Sequence, residues 1–200
     1  KYYNVDKATI SPVPFQQPHP PLRIAANSAD TFVRLGEAGH PIFVGLRGMD
    51  IPELRQNVDA YRKSWREAGH PGDGDVSLRI PVYAGETEGQ AMDEPFESIS
   101  GYFGRMGSLY REQAGKSGLE ATELADGRAE RLAGLSYEDM LKTKIAFGTA
   151  EHLVDRFNQL KEELGLDGVV AELNPGGLIP EERVLRSLKI VTEKVMPAFK

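Results

Sequence analysis

Asn27, Ser28 and Thr31 are the residues of this chain best placed by type and spacing to do chemistry. They stand between an aliphatic run, Leu22 to Ala26, and a helix-start signal, Ser28–Ala29–Asp30–Thr31. Small hydroxyl and amide side chains there meet free backbone N–H groups and the positive end of a helix dipole, so the turn suits a phosphate. The alternative is capping alone, since most Ser and Thr residues at helix starts bond only to their own helix. Phe32, Val33 and Leu35 then recur at helical spacing, Gly36 and Gly39 close the helix, and Ile42–Phe43–Val44 gives a second strand. The whole stretch reads as a βαβ unit.

Three further places fall at the expected C-terminal ends of strands. Arg47 follows the second strand and suits either a phosphate or an anionic substrate, or is a solvated loop arginine. Tyr83 reads as a packed strand residue and Thr87 as a helix cap. Glu172 lies in an apolar strand, where an unpaired carboxylate is costly, so a salt-bridged carboxylate is the favoured reading. His19, His40, His70 and His152 show no metal-ligand spacing. No P-loop, GxGxxG, GxSxG or HExxH motif occurs.

The bulk numbers bound the function. Two hundred residues, 40% hydrophobic and 27% charged, suit one globular domain spanning 1–200. A net charge of -6 without a basic run disfavours nucleic acid and acidic membranes as partners. The absence of Cys excludes disulfides and a thiol nucleophile. With no signal pattern and no apolar run of about 18 residues, the expected location is cytoplasmic. The chain opens on Lys1 rather than Met, which fits a fragment, a processed product or a partial record.

The positioning elements follow from periodicity. Pro12, Pro14, Pro18, Pro20 and Pro21 make residues 1–21 a stiff, extended lead-in. Four strands are expected near 22–27, 41–46, 76–84 and 168–173, the last of them short and buried. Pro81, without an N–H, places the third strand at an edge or ends its ladder. Helices are expected over 51–69, with Leu54, Val58, Tyr61 and Trp65 buried, and over about 85–111, kinked or split at Pro95 and Gly101. Further helices start at Ser136, Thr149 and Pro180. Residues 112–135, rich in Gly, Ala and charge, read as a mobile lid excursion. Strand–helix alternation of this kind predicts an α/β fold of parallel strands with helical crossovers.

The strings PVPFQQPHPPLRIAANSADT, VYAGETEGQAM and FGTAEHLVDRFNQLKEELGLDGVVAELNPGG, in this order, resemble the bacterial luciferase-like family of flavin-dependent monooxygenases. The resemblance implies a TIM-type (β/α)8 barrel of which this chain is the second half, strands five to eight. It implies reduced flavin, FMN or the deazaflavin F420, as cofactor, with oxygen and a small organic substrate. The family's flavin phosphate is held around the turn matching Ala26, Asn27, Ser28 and Thr31. Ser28 and Thr31 fit its hydroxyl positions, whereas many relatives carry an acidic residue or glycine at the place of Asn27. The family's usual catalytic histidine belongs to the first half, so no catalytic residue is assigned here. The chain would then be inactive without that N-terminal half, and would pair with it or with a second copy as a homo-oligomer. The alternative is a stand-alone half-barrel that binds flavin or a phosphate ester without turnover.

Overall fold

The computed structural model describes residues 5–9, 11–114, 127–132 and 134–200. Five parallel strands make one sheet: β1 (Ile24–Ala25), β2 (Ile42–Gly45), β3 (Val76–Ala84), β4 (Ala146–Gly148) and β5 (Gly168–Glu172). Helices connect them: α1 (Ala29–Glu37), α2 (Ile51–Glu67), α3 (Glu88–Asp93), α4 (Phe96–Ala114), α5 (127–132), α6 (Tyr137–Thr143), α7 (Ala150–Leu164) and α8 (Glu181–Ile190). A π-type turn, Val191–Val195, and a 3-10 turn, Met196–Phe199, finish the chain. Every strand pair is parallel, so the expected α/β class with helical crossovers is what forms.

The strand β3 is the centre of the sheet, not its edge. It pairs with β2 over Val76–Arg79, with β5 over Ser77–Pro81, and with β4 over Val82–Ala84. Pro81 is the last residue of β3 paired with β5, and the pairing with β4 begins at Val82, so its missing N–H falls at the end of a ladder. The fifth strand, β4, escaped the sequence because three residues carry too little alternation to register. The fourth expected strand, now β5, is not buried: Val169 and Val170 are 38% and 44% exposed, because among the described residues only β3 pairs with it.

Side-chain alternation splits the sheet into two faces. Ile42, Val44, Val76, Leu78, Ile80 and Val82 enter the main core with Leu54, Val58, Tyr61 and Trp65 of α2 and Leu153, Phe157, Leu160 and Leu164 of α7. The register puts Phe43, Gly45, Ser77, Arg79, Val170 and Glu172 on the opposite face. Above the C-terminal strand ends a second core closes part of that face: Tyr83 and Phe147 pack with Ile99 and Phe103 of α4, Leu132 of α5 and Met140 of α6.

The helix boundaries follow local chemistry. Asp50 caps α2 by accepting from the Glu53 amide at 2.8 Å, and Ser136 with Asp139 forms the expected capping box of α6. The stretch expected to kink splits at Pro95 into α3 and α4, while Gly101 stays inside α4. Gly36 does not end α1. It lies within the helix, where a Cβ would stand 2.1 Å from Ser64 Oγ and 2.4 Å from the Tyr61 carbonyl oxygen, so its bare backbone lets α2 approach. Ser64 Oγ uses that closeness to donate to the Val33 carbonyl at 3.0 Å.

Most of the excursion expected over 112–135 lies outside the described residues. Within it, α5 is anchored: Ala129 and Leu132 are buried, and Arg131 donates to Glu53 at 2.9 Å and to the Gly48 carbonyl at 3.0 Å. Among the described residues no helix is long and apolar enough to cross a membrane, and no group of His, Cys, Asp and Glu could hold a metal ion.

Candidate functional site

A cavity of about 410 Å³ opens at the C-terminal ends of β1 and β2, beside the middle of β3. Ligands bind at this end of parallel α/β sheets, where loops diverge from the strand ends. Ala25 and Asn27 of the first strand and its turn line one side, and Arg79 of β3 the other. Between them lie Phe43 and Gly45 of β2 and the loop Arg47–Gly48–Met49, with Tyr110 of α4 and Arg128 of α5 above. Among the described residues, three guanidiniums and no carboxylate line the cavity.

The four residues singled out at the first turn divide. Asn27 reaches the cavity wall, and its carbonyl oxygen accepts from Arg128. Ala26 is buried with its side chain in the main core, so only its backbone can face a ligand; its N–H donates to the Phe43 carbonyl at 3.1 Å. Ser28 is the residue preceding α1, but its side chain makes no capping bond. Its Oγ pairs instead with Thr31 Oγ1 at 2.8 Å, across one turn at the helix start. Its bond is thus to a side chain of its own helix rather than to a first-turn amide.

Arg47 and Glu172 are in contact with the same network. Arg79 donates to Glu172 Oε1, and Arg47 Nη2 lies 4.0 Å from that oxygen. Arg47 also donates to the Tyr102 hydroxyl, with its guanidinium 5.7 Å from the ring centroid. Burial pushes the Tyr102 pKa up, against the smaller opposing pull of Arg47. Glu172 is thus the salt-bridged carboxylate expected of it.

The other expected places are structural. Tyr83 is fully buried, and donates to Glu94, which also accepts from Arg186. Burial, with Glu94 adding to it, raises the Tyr83 pKa to about 12. Thr87 caps α3 by accepting from the Gln90 amide at 3.2 Å. No histidine lines the cavity.

Sequence reading missed Arg79, Tyr102, Tyr110 and Arg128 as site residues. Arg79 carried a signal: it is the charged member of the polar set alternating with Val76, Leu78, Ile80 and Val82. In a strand covered by helices on its apolar face, that set must face the other way. Tyr102 and Tyr110 looked like the apolar stripe of a helix, and Arg128 lay in a segment without periodicity.

A parallel α/β sheet with a basic cavity at its strand ends defines the class. The chain belongs to the luciferase-like monooxygenase family, whose sequence model matches residues 1–168. It is 25% identical over 203 residues to the oxygenase component of the flavin-dependent trigonelline monooxygenase of Acinetobacter baylyi, covering 100% of this chain and 54% of that protein. The chain therefore spans about half the length of that relative. Two solved structures share the fold. One is the oxygenating constituent of 3,6-diketocamphane monooxygenase from the CAM plasmid of Pseudomonas putida, in complex with FMN. It has a TM-score of 0.67 and 19% identity, over 90% of this chain and 49% of that one. The other is the coenzyme F420 dependent tetrahydromethanopterin reductase from Methanopyrus kandleri, with a TM-score of 0.61 and 20% identity, over 90% of this chain and 51% of that one.

Proposed function

We propose that this chain is the flavin-phosphate-binding, C-terminal half-barrel of a cytoplasmic flavin-dependent monooxygenase that acts with oxygen on a small organic substrate. The observation that carries the reading is the Ser28–Thr31 hydroxyl pair at the uncapped start of α1, next to Asn27 on the cavity wall. The donor set fits a phosphate monoester. Two hydroxyls can turn toward it, the first-turn amides and helix dipole favour its charge, and among the described residues no carboxylate lines the adjoining cavity. The relatives named above include an FMN complex and an F420-dependent enzyme, so FMN is the leading cofactor and F420 the alternative.

Reduced flavin, when bound, supplies the oxygen activation. The chain's own residues do the rest. Ser28 and Thr31 hold the phosphate, and Arg128 fixes the turn through the Asn27 carbonyl. Phe43, Ala25 and Tyr110 give the cavity apolar walls that exclude water. The remainder of the wall comes from an N-terminal half or from a second copy of this chain, set against the open face of the sheet and the free edge of β5.

Flavin titration of the purified chain tests the reading. Ser28→Asp places a negative charge against the phosphate. It should weaken FMN binding at least about tenfold, or ~1.4 kcal/mol. Unchanged affinity in the chain reconstituted with an N-terminal half would sink the assignment. Turnover should appear only with that half present.

A further inference from the structure

Arg79 stands in an unusually open row of the sheet. Its register partners are Gly45 on β2 and Val170 on β5, and a Cβ on Gly45 would meet only the Arg79 carbonyl oxygen, at 3.5 Å. The row therefore leaves space above the strands, and the Arg79 side chain is 39% exposed into it. Among the described residues its only hydrogen bond runs from Nη2 to Glu172. Arg79 also lines the cavity.

Charge is unbalanced here. Among the described residues one carboxylate, Glu172, faces two guanidiniums, Arg79 and Arg47, which leaves one positive charge over at the Arg79 end of the cavity. Arg47 is held in place by the Tyr102 hydroxyl. A planar guanidinium fork matches a carboxylate in two parallel hydrogen bonds, and one carboxylate balances one excess charge. Phe43 and Tyr110 offer flat apolar surface in the same cavity. Asn27 and Arg79 lie two strands apart, roughly 9–10 Å at ordinary strand spacing, so the Arg79 end is separate from the phosphate turn.

We propose that the substrate is a compact, flat organic acid whose carboxylate is bound by Arg79, with Arg47 and Tyr102 as its support. The proposal rests on the flavin reading above only in calling this ligand the substrate. Glu172 is a positioning residue: it aims Arg79 and keeps the two guanidiniums together.

The test uses the full chain with benzoate, benzamide and inorganic phosphate as probes, followed by calorimetry and by the Arg79 side-chain N–H resonance. Benzoate should bind and move that resonance, and benzamide should bind at least about tenfold more weakly. Arg79→Met should weaken benzoate about tenfold. If Arg79→Met does not fold, Arg79→Lys carries the test: it keeps a charge for Glu172 and loses the fork, so benzoate binding falls severalfold. Three results would overturn the proposal. They are equal binding of benzoate and benzamide, benzoate affinity indifferent to both substitutions, and phosphate binding at Arg79 more tightly than benzoate, which would make this the cofactor's phosphate site. Loss of FMN binding with benzoate still tracking Arg79 would instead sink the flavin reading and leave the acid site standing.

Discussion

Arg79 on β3 donates to Glu172 on β5 across the open face of the sheet, joining residues 93 apart in sequence. Glu172 is the less exposed partner, at 14% against 39%, and its second oxygen is buried without a hydrogen-bond partner among the described residues. Its charge is tolerated because two guanidiniums face it.

Glu172→Gln removes that charge and leaves Arg79 and Arg47 repelling each other. Both arginines keep some contact with water, so the expected loss is modest, ~1–2 kcal/mol. Urea unfolding at neutral pH reads it. A midpoint equal to that of the parent would mean that the pair contributes nothing to stability.

Gly36→Ala tests the α1–α2 contact. The added methyl would overlap Ser64 Oγ and the Tyr61 carbonyl, and the latter belongs to a helix backbone that cannot swing aside. Overpacking of this kind costs ~1–3 kcal/mol. Thermal unfolding should show the loss, and adding Ser64→Ala should recover only part of it, since the carbonyl clash remains.

The Tyr83 hydroxyl gives an alkaline limit. Its folded pKa is about 12 against an ordinary 10.0, so the folded chain holds this proton more tightly than the unfolded chain does. That contribution is complete below pH 10.0 and is lost as pH rises from there toward about 12. Tyr137, also raised to about 12 by burial, adds in the same direction. Unfolding midpoints between these pH values should fall, and Tyr83→Phe should flatten the slope. An unchanged slope in that variant would assign the fall to other groups.

Association follows from β5. Val169 and Val170 are exposed on a strand with one described neighbour. A groove of about 580 Å³ runs beside it, lined by Phe157, Leu166, Val191, Val195 and Phe199. A free parallel edge next to apolar surface invites pairing. Light scattering should find the purified chain as a dimer, or as a complex with an N-terminal half. Val170→Lys should weaken that association by placing a charge on the open face. A stable monomer that unfolds cooperatively would refute the argument.

Much of the scaffold was legible because it is written in short-range chemistry. The caps Asp50, Thr87 and Ser136 and the apolar spacing of α2 are local, and local rules read them. The phase of the sheet was harder. Phe43 and Val170 face the open side of the sheet. Ile24 and Ile80 share the helix-covered phase of Ile42 and Leu78. A shift of one residue sends a side chain to the opposite face, and only pairing fixes that register.

By itself, the sequence determined that strands and helices alternate, that the strands run parallel, and that a polar turn starts α1. Each of these needs only neighbours within a few residues and the rule that crossovers return strands in parallel. Tertiary structure decided what meets above the sheet. It made β3 the centre despite Pro81, turned the Ser28 hydroxyl toward the Thr31 hydroxyl rather than a first-turn amide, and gathered Arg47, Arg79 and Arg128 from three segments around one cavity. Long-range pairing alone brings such residues together, because no local periodicity records which charges will share a face.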